Sequence, residues 1–435
     1  MTIRVFHAPL LSPHGPQRLW HEPDGGLALD EGGRILAAGP FARVNASYPG
    51  AVVQDLRPGW ILPGLVDLHT HLPQYGSVAM DGLELLPWLE KHIYPAETSF
   101  ADAHLAARVA RVFFRDLLAW GTTTAAVYSS IHLAATEAAF AEADRAGLRL
   151  ILGKMMMDRH APDPLLEDTA VSLEQSEELC RRWHGHDHGR LQYAFSPRFA
   201  PACSPELMRG AGDLARKYGA YIQTHLGESR GELALVRELF PAAENATEIY
   251  RHAGLLGPRT LLGHGIYLTS RERALIRESG ASLAHCPRAN AFLRSGIMPL
   301  RNWLEEGLQI GLGTDVGAGP SLSLWAEMAF ACQSSKLRSA QQEAGLQRPI
   351  DPVEAFHLAT LGAAEALGLQ ASIGSLEVGK EADFQVVDPR VTSPLPELDE
   401  AEPSYQILSR LMYRADPRMI QAVYVRGQAC FPREA

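Results

Sequence analysis

The sequence predicts an α/β chain: a (β/α)8 TIM barrel that carries a small β-sandwich domain built from both chain termini. Three observations lead there. After Gly59, apolar strand-like runs alternate with amphipathic stretches of helical length, the texture of repeated βα units and a parallel sheet. Eight such runs occur, and most close on a polar or ionisable residue straight after buried-looking sequence. The first and last segments share a short strand-and-turn texture that the middle lacks.

Along the chain, two apolar stretches within residues 27–38 flank Asp30-Glu31-Gly32-Gly33, a turn-rich tetrad expected to close a β-hairpin. Residues 1–58 are assigned to the β domain and 59–373 to the barrel. Residues 374–435 are assigned to the β domain again, because 374–388 and 421–430 return to strands and turns. The eight barrel runs end near His71, Tyr128, Asp158, Arg198, His225, His264, Cys286 and Asp315, and in a barrel such ends form the catalytic face. Residues 102–120, 204–218 and 354–367 have apolar positions three and four apart and should be helices of the outer ring.

Composition bounds the function. At 435 residues the chain is long enough for a barrel plus a companion domain, and its 46% hydrophobic and 21% charged residues are those of an ordinary globular enzyme. A net charge of −10 without a local basic cluster argues against a nucleic-acid partner. Residues 1–13 lack a basic stretch followed by an apolar core, and no apolar run is long enough to span a bilayer. The expectation is no membrane contact and a cytoplasmic location. The five cysteines are odd in number and widely spread, which suits free thiols.

The chemistry starts at His69 and His71. One residue apart on a strand, both imidazoles point to the same side and can share an ion. A lone H-x-H pair is weak evidence, because two strand histidines serve equally well as hydrogen-bonded core residues. His225, His264 and Asp315 each close a later run, however, and strand ends of a closed barrel ring one cavity. A His/Asp cluster with room for water is what catalytic zinc requires. The fourth run ends on Ser196-Pro197-Arg198, with no lysine there to bridge a second ion, so one metal is the simpler reading. Glu228, three residues after His225, is placed to shuttle protons beside the metal, and Asp315 can share that role as base. His264 is either a ligand or a hydrogen-bonding group for the attacking water. The tract His184-Gly185-His186-Asp187-His188 falls between a helix and a strand at the opposite end of the barrel and reads as a solvated loop. Cys203 and Cys286 have no activating partner in sequence.

Pro63-Gly64-Leu65-Val66-Asp67-Leu68-His69-Thr70-His71, His225-Leu226-Gly227-Glu228, Gly313-Thr314-Asp315 and Gly374-Ser375-Leu376-Glu377-Val378-Gly379-Lys380-Glu381-Ala382-Asp383 together resemble the amidohydrolase superfamily. Within it the chain is similar to the guanine deaminase family. That likeness runs through Gln74-Tyr75, Leu86-Pro87-Trp88-Leu89-Glu90-Lys91, Tyr94-Pro95-Ala96-Glu97, Gly121-Thr122-Thr123-Thr124 and Ser196-Pro197-Arg198-Phe199. The resemblance implies that His69, His71, His225 and Asp315 bind one zinc ion per subunit, that Glu228 shuttles protons and that His264 assists. It also implies a homodimer and a small-molecule purine base as partner, with Gln74, Arg198, Phe199 and His225 shaping the purine site. An arginine and a glutamine can hydrogen-bond the carbonyl and ring-nitrogen edges of a purine, and Phe199 offers a face for the base. On residue type alone, Arg198 equally pairs with a buried carboxylate, Gln74 caps a loop and Phe199 fills core. The chain departs from the family's usual pattern at Gly227, where serine is usual, and at Arg288-Ala289-Asn290, where a more polar run is usual. The expected reaction is attack of zinc-activated water on C2 of guanine, giving xanthine and ammonia. Rival readings are a relative acting on 8-oxoguanine, another aminopurine or a triazine, and a non-catalytic barrel kept as a binding scaffold.

Overall fold

The computed structural model describes residues 2–341, 347–394 and 403–432. Eight parallel strands form the barrel: β1 (Leu65–His71), β2 (Thr122–Tyr128), β3 (Arg149–Gly153), β4 (Leu191–Pro197), β5 (Tyr221–Leu226), β6 (Thr260–His264), β7 (Ser282–His285) and β8 (Gln309–Leu312). Neighbours in sequence are neighbours in the sheet, each pair parallel, as βα units require. The seam between β8 and β1 is closed by side chains as well as backbone. The buried Asp67 carboxylate accepts from Thr314 N–H at 3.0 Å and from the Thr314 hydroxyl at 2.6 Å, and Asp315 N–H donates to the His69 carbonyl at 2.7 Å.

Inside the barrel, Val66, Leu68, Ala126, Ile151, Ala194, Tyr221, Leu261 and Ala284 pack into one apolar plug with Ala363 and Ala364. The helix Leu361–Ala366 thus lies against the floor, and chemistry is confined to the upper rim. The register of β1 against β2 shifts between Asp67 and Thr70. This bulge turns His69 and His71 to the same interior that Val66 and Leu68 fill below.

Two of the expected helices match closely. Ala103–Ala119 starts on the Asp102 carboxylate, which accepts from His104 N–H and Leu105 N–H, and Pro205–Tyr218 starts on the Ser204 hydroxyl. The third, over residues 354–367, is two helices, Pro352–Leu358 and Leu361–Ala366. The chain breaks between them because the Ala359 carbonyl is taken by Val66 N–H of β1 (2.9 Å) and the Thr360 hydroxyl binds back to the Phe356 carbonyl (2.5 Å). The run expected to end near Asp158 stops pairing earlier, at Gly153, and resumes only for Met155–Met156 beside Ser196 and Pro197.

The terminal segments interleave in two further sheets. Ile35–Pro40, Gly25–Leu29, Arg4–His7 and Val52–Asp55 form one, with the expected hairpin at its edge. The other has six strands, in which Phe384–Val387 lies between Trp60–Pro63 and Ile420–Val425. Phe6, Leu27, Ile35, Ile61, Phe384 and Tyr424 share one core, so the two sheets form a sandwich from both chain ends. Trp60–Pro63 therefore pairs with the terminal strands, just before the chain enters β1. At the barrel's N-terminal end the Asp187 and His188 carbonyls accept from Arg426, tying the histidine-rich loop to the sandwich. Cys180, Cys203, Cys286, Cys332 and Cys430 are free thiols.

Candidate active site

Five side chains from four places in the barrel meet above the plug. The Nε2 atoms of His69 and His71 are 3.2 Å apart, as are those of His71 and His225. Asp315 Oδ1 lies 3.3 Å from His69 Nε2 and 3.4 Å from His71 Nε2. Ligands held at about 2.0–2.1 Å around one tetrahedral zinc ion are about 3.3 Å from one another, so the donor set and its spacing fit a single ion. Burial lowers the proton affinity of all three imidazoles: His69 falls below the ordinary value, His71 falls to about 3 and His225 lies far below. At neutral pH each therefore presents a lone pair. Asp315 is held ionised far below the usual carboxylate range. Burial opposes this and is outweighed by the hydrogen bonds from His69 and His71.

Neighbouring groups fix the ring orientations. His225 Nδ1–H donates to the Arg198 carbonyl at 2.7 Å, which leaves Nε2 as the donor atom facing the cluster. His264 Nδ1–H donates to Asn290 Oδ1 at 2.9 Å. Its Nε2 then lies 3.4 Å from Glu228 Oε2 and 3.8 Å from Asp315 Oδ2, between the two carboxylates. His264 and Asp315 both have left-handed backbone, with φ of 68° and 48°. Such strain in non-glycine residues collects where a site needs it.

Glu228 is buried, and burial together with the Asp315 charge pushes its proton affinity well up. Two carboxylates with opposite preferences beside one histidine are the signature of paired acid and base roles. Glu228 is held by its backbone. Glu232 accepts from Glu228 N–H at 2.7 Å and from Gly227 N–H at 3.1 Å, within a capping box formed with Ser229. Gly227 has φ of 59°, a left-handed turn that suits glycine.

Beside the cluster is a cavity whose lining includes Gln74, Arg198, Phe199, His225, Glu228 and His264. The sequence-predicted substrate residues thus line the same cavity as the predicted catalytic ones. Arg198 does pair with a buried carboxylate, Glu97 Oε2, at 2.6 Å, and Gln74 Nε2–H donates to Glu97 Oε1 at 3.1 Å. Phe199 is packed in an apolar roof with Leu85, Trp88, Leu89 and Leu293. All three line the cavity and are at the same time engaged with neighbouring protein groups.

Sequence reasoning read the segments that hold Trp88, Leu89, Glu97 and Asn290 only for likeness or departure, without a role for these residues, and passed over Glu232. Glu232 carried a readable signal, the Ser229-x-x-Glu232 capping box. The roof is a short helix at Leu85–Trp88 that runs into a π-turn over Leu89–Ile93, a distortion common at functional sites.

Comparison with known proteins agrees with this geometry. The amidohydrolase family model matches residues 60–430. A guanine deaminase of Escherichia coli (strain K12) is 37% identical over 94% of this chain and 92% of its own. The solved structure of an E. coli guanine deaminase superposes with a TM-score of 0.93 at 34% identity, covering 99% of this chain and all of that one (100%). A guanine deaminase from C. acetobutylicum, solved with guanine bound in its active site, also gives 0.93, at 30% identity over 99% of this chain and 100% of its own. With the family's model spanning the barrel and the later strands of the terminal sandwich, and such relatives covering nearly the whole chain, this protein belongs to the amidohydrolase family.

Proposed function

We propose that this chain is a guanine deaminase, a hydrolase that converts guanine and water to xanthine and ammonia. The observation that carries the reading is the shared lining: Gln74, Arg198 and Phe199 line the same cavity as Glu228, His264 and Asp315. Relatives across almost the entire chain that are named for this activity support it.

His69, His71, His225 and Asp315 are the residues to hold one zinc ion, which when bound lowers the pKa of a water towards neutrality. Glu228, with its raised proton affinity, takes a proton from the water as its oxygen adds to C2 and delivers it to the adjacent ring nitrogen. His264 and the ionised Asp315 hold the attacking oxygen in line. The remaining proton of the added oxygen passes to the amino group, the C2–N bond breaks to release ammonia, and the C2 carbonyl of xanthine remains. Arg198 and Gln74 offer N–H donors to the purine carbonyl and ring-nitrogen edge, while Phe199 covers a face of the base. Zinc as the ion, purine breakdown as the setting, the cytoplasm as the compartment and a homodimer as the assembly belong to the same proposal and rest on the family likeness. Among the described residues no helix is long and apolar enough to cross a membrane.

The test is ammonia release and loss of guanine absorbance by zinc-loaded protein offered guanine, 8-oxoguanine, adenine and cytosine, beside a Glu228→Ala control. Guanine turnover absent from the control supports substrate and mechanism together. Turnover of another base alone overturns the substrate, and silence on all four despite bound zinc returns weight to a triazine-like substrate or a scaffold.

A further inference from the structure

Glu97 lies on the helix Tyr94–Ser99, is 1% exposed and does not line the cavity, yet both of its oxygens are committed to residues that do. Oε1 accepts from Gln74 Nε2–H at 3.1 Å and Oε2 accepts from Arg198 Nη1–H at 2.6 Å. Gln74 Oε1 in turn accepts from Gly317 N–H at 3.3 Å. An ionised carboxylate can only accept and a backbone N–H can only donate, so the Gln74 amide has one permitted orientation. Flipping it would face oxygen against carboxylate and amine against N–H, losing both hydrogen bonds.

The polar groups Gln74 and Arg198 have left to offer are then one N–H from the amide, the second lone pair of an oxygen that Gly317 N–H already holds, and the unpaired N–H groups of the guanidinium. With the amide held this way round, N–H donors outnumber acceptors on these two side chains. This balance matches a ligand edge made of acceptors, such as a 6-oxo group, and opposes one that carries a 6-amino donor. Arg198 is itself 3% exposed and rests over the Tyr94 ring at 5.5 Å, so Glu97 is also the charge that keeps a buried guanidinium in place.

We propose that Glu97 is a positioning residue that sets specificity: by locking the Gln74 amide and the Arg198 guanidinium it makes the site select a 6-oxopurine over a 6-aminopurine. This rests on the guanine deaminase reading. The discriminating pair is guanine and 2,6-diaminopurine, which carry the same 2-amino leaving group and differ only at position 6 and its adjacent ring proton.

The experiment measures kcat/KM for both purines in the zinc-loaded wild type, in Glu97→Gln and in Glu97→Asp. In Glu97→Gln an amide replaces the acceptor, Gln74 is free to turn its oxygen to the ligand, and guanine kcat/KM falls on the order of 100-fold. The guanine to 2,6-diaminopurine ratio falls about tenfold or more, because the second substrate shares the general loss of positioning but is relieved of the mismatch at position 6. Glu97→Asp keeps the charge and restores most of the ratio; it also serves if the glutamine variant does not fold. In a Gln74→Ala background the same Glu97 change moves the ratio little, since its effect travels through Gln74. Equal losses on both purines, with the ratio unmoved, would mark Glu97 as merely structural and overturn the proposal while leaving guanine deamination intact. A wild type that releases ammonia from neither purine overturns both.

Discussion

Gly263 leaves the space that His69 occupies: a Cβ at position 263 would lie 2.7 Å from His69 Cε1. Real Cβ atoms do not come that close, and His69 cannot retreat, because Tyr128, His71, His225 and His264 surround its ring. Gly263→Ala is therefore expected to push His69 out of line with Asp315 and to weaken zinc binding about 10- to 100-fold while the fold persists. Metal content after dialysis against a graded chelator, with circular dichroism as the fold control, checks this. Full stoichiometry with unchanged affinity would sink it.

Glu232 holds the turn that aims Glu228, accepting from the N–H groups of Gly227, Glu228 and Ser229. Glu232→Ala strands buried donors at a cost of about 1–3 kcal/mol and lets the Glu228 backbone shift. The expected outcome is a lower denaturation midpoint and a kcat reduced about tenfold, with zinc still bound because none of the proposed ligands is touched. Unchanged kcat at reduced stability would confine Glu232 to helix capping.

What could be read from the sequence follows the range of the interaction. His69 and His71 were legible because strand period places alternate residues on one side, and His225, His264 and Asp315 because each closes an apolar run. The arrangement of Glu97 was not legible. Its partners lie 23 and 101 residues away, and no local period brings a helix residue against two strand-end loops. The break at Ala359 and Thr360 was hidden for the same reason: the helical pattern runs through it, and only the claim of Val66 N–H on the Ala359 carbonyl interrupts it. Glu232 lies between these cases, with a local capping signal that was readable but whose value to Glu228 depends on the turn in three dimensions.

The Asp67–Thr314 contact joins β1 to the loop carrying Asp315, and both carboxylate oxygens are used. Asp67→Asn keeps one acceptor but turns an amine towards a donor, so the seam loosens beside the proposed ligand. A stability loss of about 1–3 kcal/mol is expected, together with weaker zinc binding. Thr314→Val should show a coupling energy with Asp67→Asn in a double-mutant denaturation cycle. Strict additivity would mean that the pair does not act as one seam.

His357 gives the fold a pH dependence away from the cluster. It is buried in the helix Pro352–Leu358, its Nδ1 has no hydrogen-bond partner among the described residues, and burial lowers its pKa to about 4, a shift the Glu354 charge only partly offsets. Between the ordinary value of 6.5 and 4 the unfolded chain binds a proton that the folded chain does not, so stability rises with pH across that window. The contribution is complete above 6.5 and is lost progressively as pH falls towards 4. Between pH 7.5 and pH 5 it amounts to about 2 kcal/mol. Buried His285, held near 3, acts in the same direction. Denaturant titrations at the two pH values should show His357→Gln losing about 2 kcal/mol less than the wild type on acidification. An equal loss in both proteins would mean that His357 titrates normally in the fold, and the acid sensitivity would then have to come from His285 and other groups.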